Sequence, residues 1–459
     1  MSHKLRAHAT LDTHAFDLGF FSNICANTRE GRWFFCSEAE RNFLGVHVNW
    51  ILWPLSFFYR LYSGAEILLV AQALFMTATL PVVFAVGRHI LARPTAGLMA
   101  ALLFACSPYF LHSLSNDFHP DSWQMPFLAL AIFFFLKEKP VALVLSCLVA
   151  LLAKEDVSVV VCGFALFLAF KPGWRPTAVV LMALSLLVFF LEIHFLVPHY
   201  SGGQNDSILL NRYSHLGGSF GAIARNAIVR PWIFTGNLVG DPLKYWRLFC
   251  YLLPGMGLAL FAPSYLLPVV VSVLPHLLSQ SSTQLSLADI YAMPSEAFLL
   301  AGSCVGAVRL MRRFPSLRPW TLAGAALITA GLGVQMSPRF CRNLPVVRLS
   351  AFRELRRLIP VNASLAAQQT LEPHFSERRF VQIFPMGFSS PEFEIRYFTN
   401  PDFVACDRIG NTFPYDRERL SLSIAALEQD SRYEKIFDRE SFLVFRRRTK
   451  EPLQWRERE

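Results

Sequence analysis

Five short groups interrupt an otherwise apolar chain, and each holds residue types that can move a proton or bind a charged ligand. Asp17 is a lone carboxylate inside Phe16-Asp17-Leu18-Gly19-Phe20-Phe21. Apolar surroundings tune a carboxylate's basicity, which suits a general base; an aspartate in a juxtamembrane loop also caps helices. In Asp117-x-His119-x-Asp121 a carboxylate, an imidazole and a second carboxylate lie close together in sequence. Such a set ligates a divalent cation or works as an acid/base pair, and a solvated turn fixed by Pro120 would use the same residues. Lys154-Glu155-Asp156 is wedged between two apolar runs. Adjacent charges at a helix end near a bilayer are costly unless they are used or paired, and an internally paired loop is the plainer account. Glu192, followed by His194 and His199, ends another apolar run. His47 closes Asn42-Phe43-Leu44-Gly45-Val46-His47 and precedes an apolar stretch to Tyr62, broken by Pro54, that suits the membrane interface better than a span. A lone histidine there is as readily structural as functional.

The body that must position these groups is too apolar for water. The chain has 459 residues, 53% hydrophobic and 17% charged, with a mean hydropathy of +0.37. Its 42 Phe outnumber the 33 Asp plus Glu, more rings than a soluble protein of this length could hide. Collagen-like, coiled-coil, disulfide-scaffold and disordered classes are excluded. The net charge of +10 does not signal a nucleic-acid groove. Residues 340–459 carry 20 Lys/Arg and 17 Asp/Glu, against 23 and 16 before them, so a charge-poor body precedes an ordinary polar domain. The nine cysteines contain no Cys-x-x-Cys pair and suggest neither a zinc nor a redox site. Cys25 and Cys36 share one polar segment, where a disulfide is conceivable.

Charge-free runs at 67–87, 95–111, 122–136, 141–153, 157–170, 177–191, 248–262, 264–279, 297–308 and 319–337 predict about ten spans. Several are shorter than the roughly 20 residues a perpendicular helix needs, so their ends must borrow flanking residues. Pro54, Pro81, Pro254, Pro268 and Pro275 lie inside or beside these runs, where neighbouring helices can satisfy the freed backbone groups. Basic residues fill every second loop: Arg88 and Arg93, Lys137 and Lys139, Lys171 and Arg175, then Arg309, Arg312, Arg313 and Arg318. Those loops read as cytoplasmic. The loops carrying the Asp117 and Lys154 groups, the stretches 198–245 and 279–294, residues 1–45 and the tail after Pro338 then face outward. In that tail, helical spacing over 346–358 is followed by short apolar runs at 364–367, 380–384, 403–406 and 442–445. The expected fold is an all-α polytopic membrane bundle with a small C-terminal α/β extracytoplasmic domain. Its divisions are 1–62 (first extracytoplasmic loop and interfacial helix), 63–338 (transmembrane bundle) and 339–459 (soluble α/β domain).

Four blocks in register, Phe16-Asp17-Leu18-Gly19, Asn42-Phe43-Leu44-Gly45-x-His47, Asp117-Phe118-His119-Pro120 and Lys154-Glu155-Asp156-Val157, resemble the signature blocks of a prokaryotic multispan family known as domain of unknown function 2079. The resemblance continues into the tail with Ile359-Pro360-x-x-Ala363-Ser364 and Asp402-Phe403-Val404, and so covers most of the chain. That family is similar in layout to the GT-C membrane glycosyltransferases, which place an acidic residue in the first outside loop and take sugars from a polyprenyl-phosphate carrier. The resemblance implies an integral protein of a bacterial cytoplasmic membrane that transfers a sugar from such a donor to an extracytoplasmic acceptor. It implies Asp17 as the first-loop acid, acting as general base or helping to hold a divalent cation, with Asp117, His119 and Asp121 as the second catalytic or metal-holding cluster. Lys154 would neutralise the carrier phosphate, Glu155 and Asp156 would orient it, and His47 and Glu192 would complete substrate binding. Family members carry a helix ahead of the Phe-Asp-Leu-Gly block, where this chain has some fifteen polar residues, so a further helix is expected upstream of Met1.

Two other function classes fit the composition. In a transporter or channel the buried charges would line a pathway, but these cluster at one membrane face, whereas transporter sites lie near the midplane. In a non-catalytic scaffold the C-terminal domain would bind a partner.

Overall fold

The computed structural model describes residues 2–38, 40–201, 210–253, 257–285, 291, 293–317, 324, 327–328, 331, 346–385, 397–413, 415–449 and 452–456. Helices α1 (Ser2–Ala9), α2 (Phe20–Arg29) and α3 (Leu52–Phe58) form the N-terminal segment. The helical body comprises α4 (Glu66–Leu91), α5 (Pro94–Ala105), α6 (Pro108–Ser115), α7 (Gln124–Leu136), α8 (Pro140–Ala150), α9 (Val157–Ala169) and α10 (Arg175–Leu191). It continues with α11 (Phe220–Val229), α12 (Pro231–Val239), α13 (Pro242–Leu252), α14 (Pro263–Leu278) and α15 (Met293–Arg313). Proline sets many of the starts. Six of these helices have Pro as their first residue, where its missing N–H would have had no helical partner. Pro81, Pro268 and Pro275 lie inside helices.

Among the described residues two helices are long and apolar enough to cross a membrane: α4, and the 27-residue helix Arg175–Ser201, in which α10 runs on through a π-helical turn at Glu192–Leu196. The pair α5 and α6, bent by 53°, makes a third if it counts as one span. Pro120–Leu136, Pro140–Ala150, Val157–Ala169 and Pro263–Leu278 are apolar but shorter. Most of the expected span at 319–337 lies outside the described residues. The main core joins α7, α8, α9, α14 and α15, with Phe164 against Phe298 at 5.0 Å and Phe167 against Tyr265 at 4.9 Å between ring centroids. Cys25 and Cys36 are both buried thiols, and the conceivable disulfide between them is not formed.

The C-terminal region is a five-stranded sheet of β1 (Leu365–Gln368), β2 (Val381–Phe384), β3 (Phe403–Asp407), β4 (Tyr433–Arg439) and β5 (Phe442–Arg447), in spatial order β2-β1-β3-β5-β4. β1 pairs in parallel with β2 and β3, and β5 pairs antiparallel with β3 and β4. Successive strand residues face opposite ways. Leu365, Ala367, Phe403, Ala405, Phe442 and Val444 pack on one side with Phe352 and Leu355 of α16 (Val346–Leu358). Ala366, Val404, Cys406, Leu443 and Phe445 pack on the other with Leu420, Ile424 and Leu427 of α17 (Arg417–Gln429). A helix on each face explains why these strands read as unbroken apolar runs.

This domain is built onto the N-terminal segment. Ser37 Oγ donates to Val381 O at 2.6 Å and accepts from Val381 N at 3.2 Å, covering the β2 edge. Asn23 Nδ2 donates to Ser376 O and Arg378 O, at 3.0 and 2.8 Å. Ser376 Oγ donates to Ser22 Oγ at 2.6 Å, and the His8 and His374 rings stack at 4.0 Å.

Candidate functional site

Asp17 sits in the turn Ala15–Gly19, where α2 begins. Its backbone is left-handed (φ 69°, ψ −82°), and its side chain is exposed. A non-glycine residue in that region is strained by about 1–2 kcal/mol, sustained only where surrounding contacts fix it. Those contacts are present. Ala15 N donates to Gln369 O at 2.9 Å, and Ala15 and Phe20 pack on Ile383. Gly19 abuts Glu372 so closely that a Cβ there would stand 1.7 Å from Glu372 Oε2. Gly45 of the second block has the same role: a Cβ would stand 2.6 Å from the Tyr200 carbonyl carbon. Gly19, the N-cap residue of α2, makes no side-chain capping bond of its own.

The two carboxylates of the Asp117 group part company. Asp117 Oδ2 accepts from His14 N at 2.8 Å and from His14 Nδ1 at 3.0 Å. Asn411 Nδ2 then donates to His14 Nε2 at 3.3 Å. Burial works against a charged His14, but the hydrogen bond and charge of Asp117, with Asp12 and Asp17 beside it, outweigh this and hold its pKa above the ordinary value. Asp121 instead lies against His119 Nδ1 and stands 3.9 Å from Lys154 Nζ. The loop between them is clamped from the body by Gln72 of α4, whose Oε1 accepts from His119 N at 2.7 Å and whose Nε2 donates to Ser113 O at 3.0 Å.

Lys154, Glu155 and Asp156 form the short connection from α8 to α9, and the first two are buried. Lys154 Nζ is 3.6 Å from Asp156 Oδ2. Glu155 Oε1 accepts from His47 Nδ1 at 2.7 Å and Oε2 from Val48 N at 3.0 Å. Asn49 Nδ2 donates to Ala153 O at 2.7 Å, completing a seam between the second block and this connection. Burial alone would raise the Glu155 carboxyl, but His47, their hydrogen bond and Lys154 hold it at about 2. Burial alone would lower the Lys154 ammonium, but Asp121, Asp156 and Glu155 push it up instead. Glu192 is buried in its π-helical turn, takes a hydrogen bond from Trp50, and feels the charges of Glu155 and Asp156.

The fold thus joins His47, His119, Asp121, Lys154, Glu155, Asp156 and Glu192 in one network. Asp117 turns away to His14, and Asp17 stands on the turn that His14 leads into. Phe21, four residues past Asp17, meets the His119 ring at 5.4 Å and bridges the two parts. Among the described residues no three His, Cys, Asp or Glu side chains converge to hold a metal ion, so Asp17, Asp117, His119 and Asp121 are not gathered into one such set. His14, Gln72, Glu38 and Glu372 were not among the residues expected at the site. Only Gln72, a polar residue inside an apolar run, offered a local signal.

Residues 7–441 match the model of the family described as "Predicted membrane protein (DUF2079)". No curated protein matches the chain. Among solved structures it is similar to the ArnT protein of Cupriavidus metallidurans in a crystal structure bound to undecaprenyl phosphate. That likeness has a TM-score of 0.52 at 12% identity, over 94% of this chain and 94% of that one. The apo form of the same protein aligns with a TM-score of 0.47 at 12% identity, over 94% of this chain and 93% of that one.

Proposed function

Since this chain belongs to the DUF2079 family of membrane proteins, we propose that it is a GT-C type glycosyltransferase, moving a sugar from a polyprenyl-phosphate donor to an acceptor on the extracytoplasmic face. The observation that carries this reading is the setting of Asp17: an exposed carboxylate in strained backbone, braced from one side by the C-terminal domain and tied on the other, through His14, to Asp117. The fold likeness over 94% of both chains supports it, and the protein in that structure binds undecaprenyl phosphate.

Asp17 acts as the general base that takes the acceptor hydroxyl's proton, while the donor's phosphate leaves with the bond's electron pair. Lys154 meets that phosphate. Its ion pairs among the described residues, at 3.6 and 3.9 Å, are longer than hydrogen bonds, so its N–H groups can turn towards an anion. Glu155, fixed by His47 and Val48 N, and Asp156 hold the ammonium in place. The active site and the C-terminal domain share the extracytoplasmic face, and the protein lies in the bacterial cytoplasmic membrane.

The test is transfer by the purified protein in lipid, offered a pool of polyprenyl-phosphate sugars. Asp17→Asn is expected to lower turnover by about 10²–10⁴-fold, the usual worth of a general base. Equal turnover in the variant, or none from the native chain with any donor, overturns the reading. Transfer that stops on chelation reassigns Asp17 and its neighbours to holding a divalent cation.

A further inference from the structure

The junction between the Asp17 turn and the C-terminal domain buries two carboxyl groups. Glu372 is wholly buried and Glu38 is 2% exposed. Glu38 Oε2 accepts from Ile383 N at 3.3 Å; its other oxygen and both oxygens of Glu372 have no hydrogen-bond partner among the described residues. The Glu372 carboxyl fills the space beside Gly19 where any other residue would carry its Cβ. The charges acting on Glu372 are Glu38, from the first loop, and Glu377, from its own segment, both negative. The turn packed against it adds Asp17, with His14 at its start.

We propose that Glu372 is a positioning residue for Asp17, reaching from the C-terminal domain to seat the Ala15–Gly19 turn, and that it does so as a protonated pair with Glu38. A carboxylate desolvated beside another carboxylate, with no cation to meet it, is costly, whereas a carboxylic acid is not. Burial pushes Glu38 up to about 8, and burial with the charge of Glu38 holds Glu372 well above the ordinary carboxyl range. Docked, both groups keep their protons; undocked into water, each releases one. Opening of the turn is therefore favoured by alkali, with a proton lost from each carboxyl that becomes solvated. The proposal rests on Asp17 as the reacting group, but its consequence is conformational and is read without turnover.

The experiment is hydrogen exchange of the full chain in lipid nanodiscs, following the amides of residues 15–20 over a pH series and dividing out the intrinsic pH dependence of exchange. In the native protein, protection is expected to fall by about tenfold per pH unit for each carboxyl released, from the ordinary carboxyl range up to about 8. Glu372→Gln keeps the shape without the titration. It should hold the turn closed with a slope shallower by about tenfold per unit, and adding Glu38→Gln should leave protection flat. Glu372→Ala removes the shape and should raise exchange at every pH. A native slope of zero overturns the proposal, as does a slope unchanged in the double Gln variant. The native series decides even if a variant fails to fold. Sugar transfer is absent from this readout, so a failed glycosyltransferase reading and a failed positioning role are told apart.

Discussion

The turn that carries Asp17 is held between two buried ionisable groups that solve the same problem in opposite ways. On the side of the helical body, Asp121, Lys154, Glu155 and His47 meet charge with charge: each anion has a cation or an imidazole within 4 Å. On the side of the C-terminal domain, Glu38 meets only Ile383 N and Glu372 only negative groups, and on the proposal above both stay neutral by keeping protons. Compensation by charge fixes geometry but penalises the loss of any one partner. Compensation by protons tolerates substitution and ties the junction to pH.

Removing the cation should therefore hurt most. Lys154→Met leaves Asp121, Glu155 and Asp156 without their ammonium and should cost about 3–5 kcal/mol, seen as a lower unfolding temperature in detergent. Glu372→Gln should be neutral or stabilising in the same assay above pH 8. The reverse ranking would break the comparison. Gly19→Ala should cost about 1–3 kcal/mol by overpacking against Glu372. Part of that loss should return when Glu372→Ala is added, and a double-mutant cycle showing no coupling would separate the turn from the domain. Two pH limbs sharpen the same contrast. The Glu155 carboxyl is depressed in the folded protein, so its contribution is complete above its ordinary value of 4.5 and is lost as pH falls towards about 2. The Glu38 carboxyl is raised, so its contribution is complete below 4.5 and is lost as pH rises towards about 8. Unfolding temperatures should decline in both directions; His47→Gln should blunt only the acid limb and Glu38→Gln only the alkaline one.

The sheet was readable from the sequence because its strands are covered on both faces, which leaves unbroken apolar runs such as Phe442 to Phe445. The charged groups were readable as clusters, because charge in an apolar chain stands out, but their partners were not. Asp117 and Asp121 are four residues apart, yet one answers to His14 and the other to Lys154, a division made by the packing of α1, α4 and the α8–α9 connection. Glu38 and Glu372 left no local trace, being single acids in polar surroundings that only the docking of two distant segments desolvates. Helix lengths were the least legible part. Proline starts cut the body into helices such as the 11-residue Pro140–Ala150, shorter than an apolar run suggests once its capping residues are spent.

The bond between Ser37 and Val381 joins residues 344 apart in the chain. At a synthesis rate of about 5–20 residues per second, the loop that presents Asp17 is made on the order of 20–70 seconds before the strand that covers it. Throughout that interval the nascent loop has neither its neighbouring sheet nor the carboxyl that seats Gly19. The Asp17 turn is thus seated only after residues 372–383 have been made, and a chain truncated before residue 372 would carry the four signature blocks with this turn unseated.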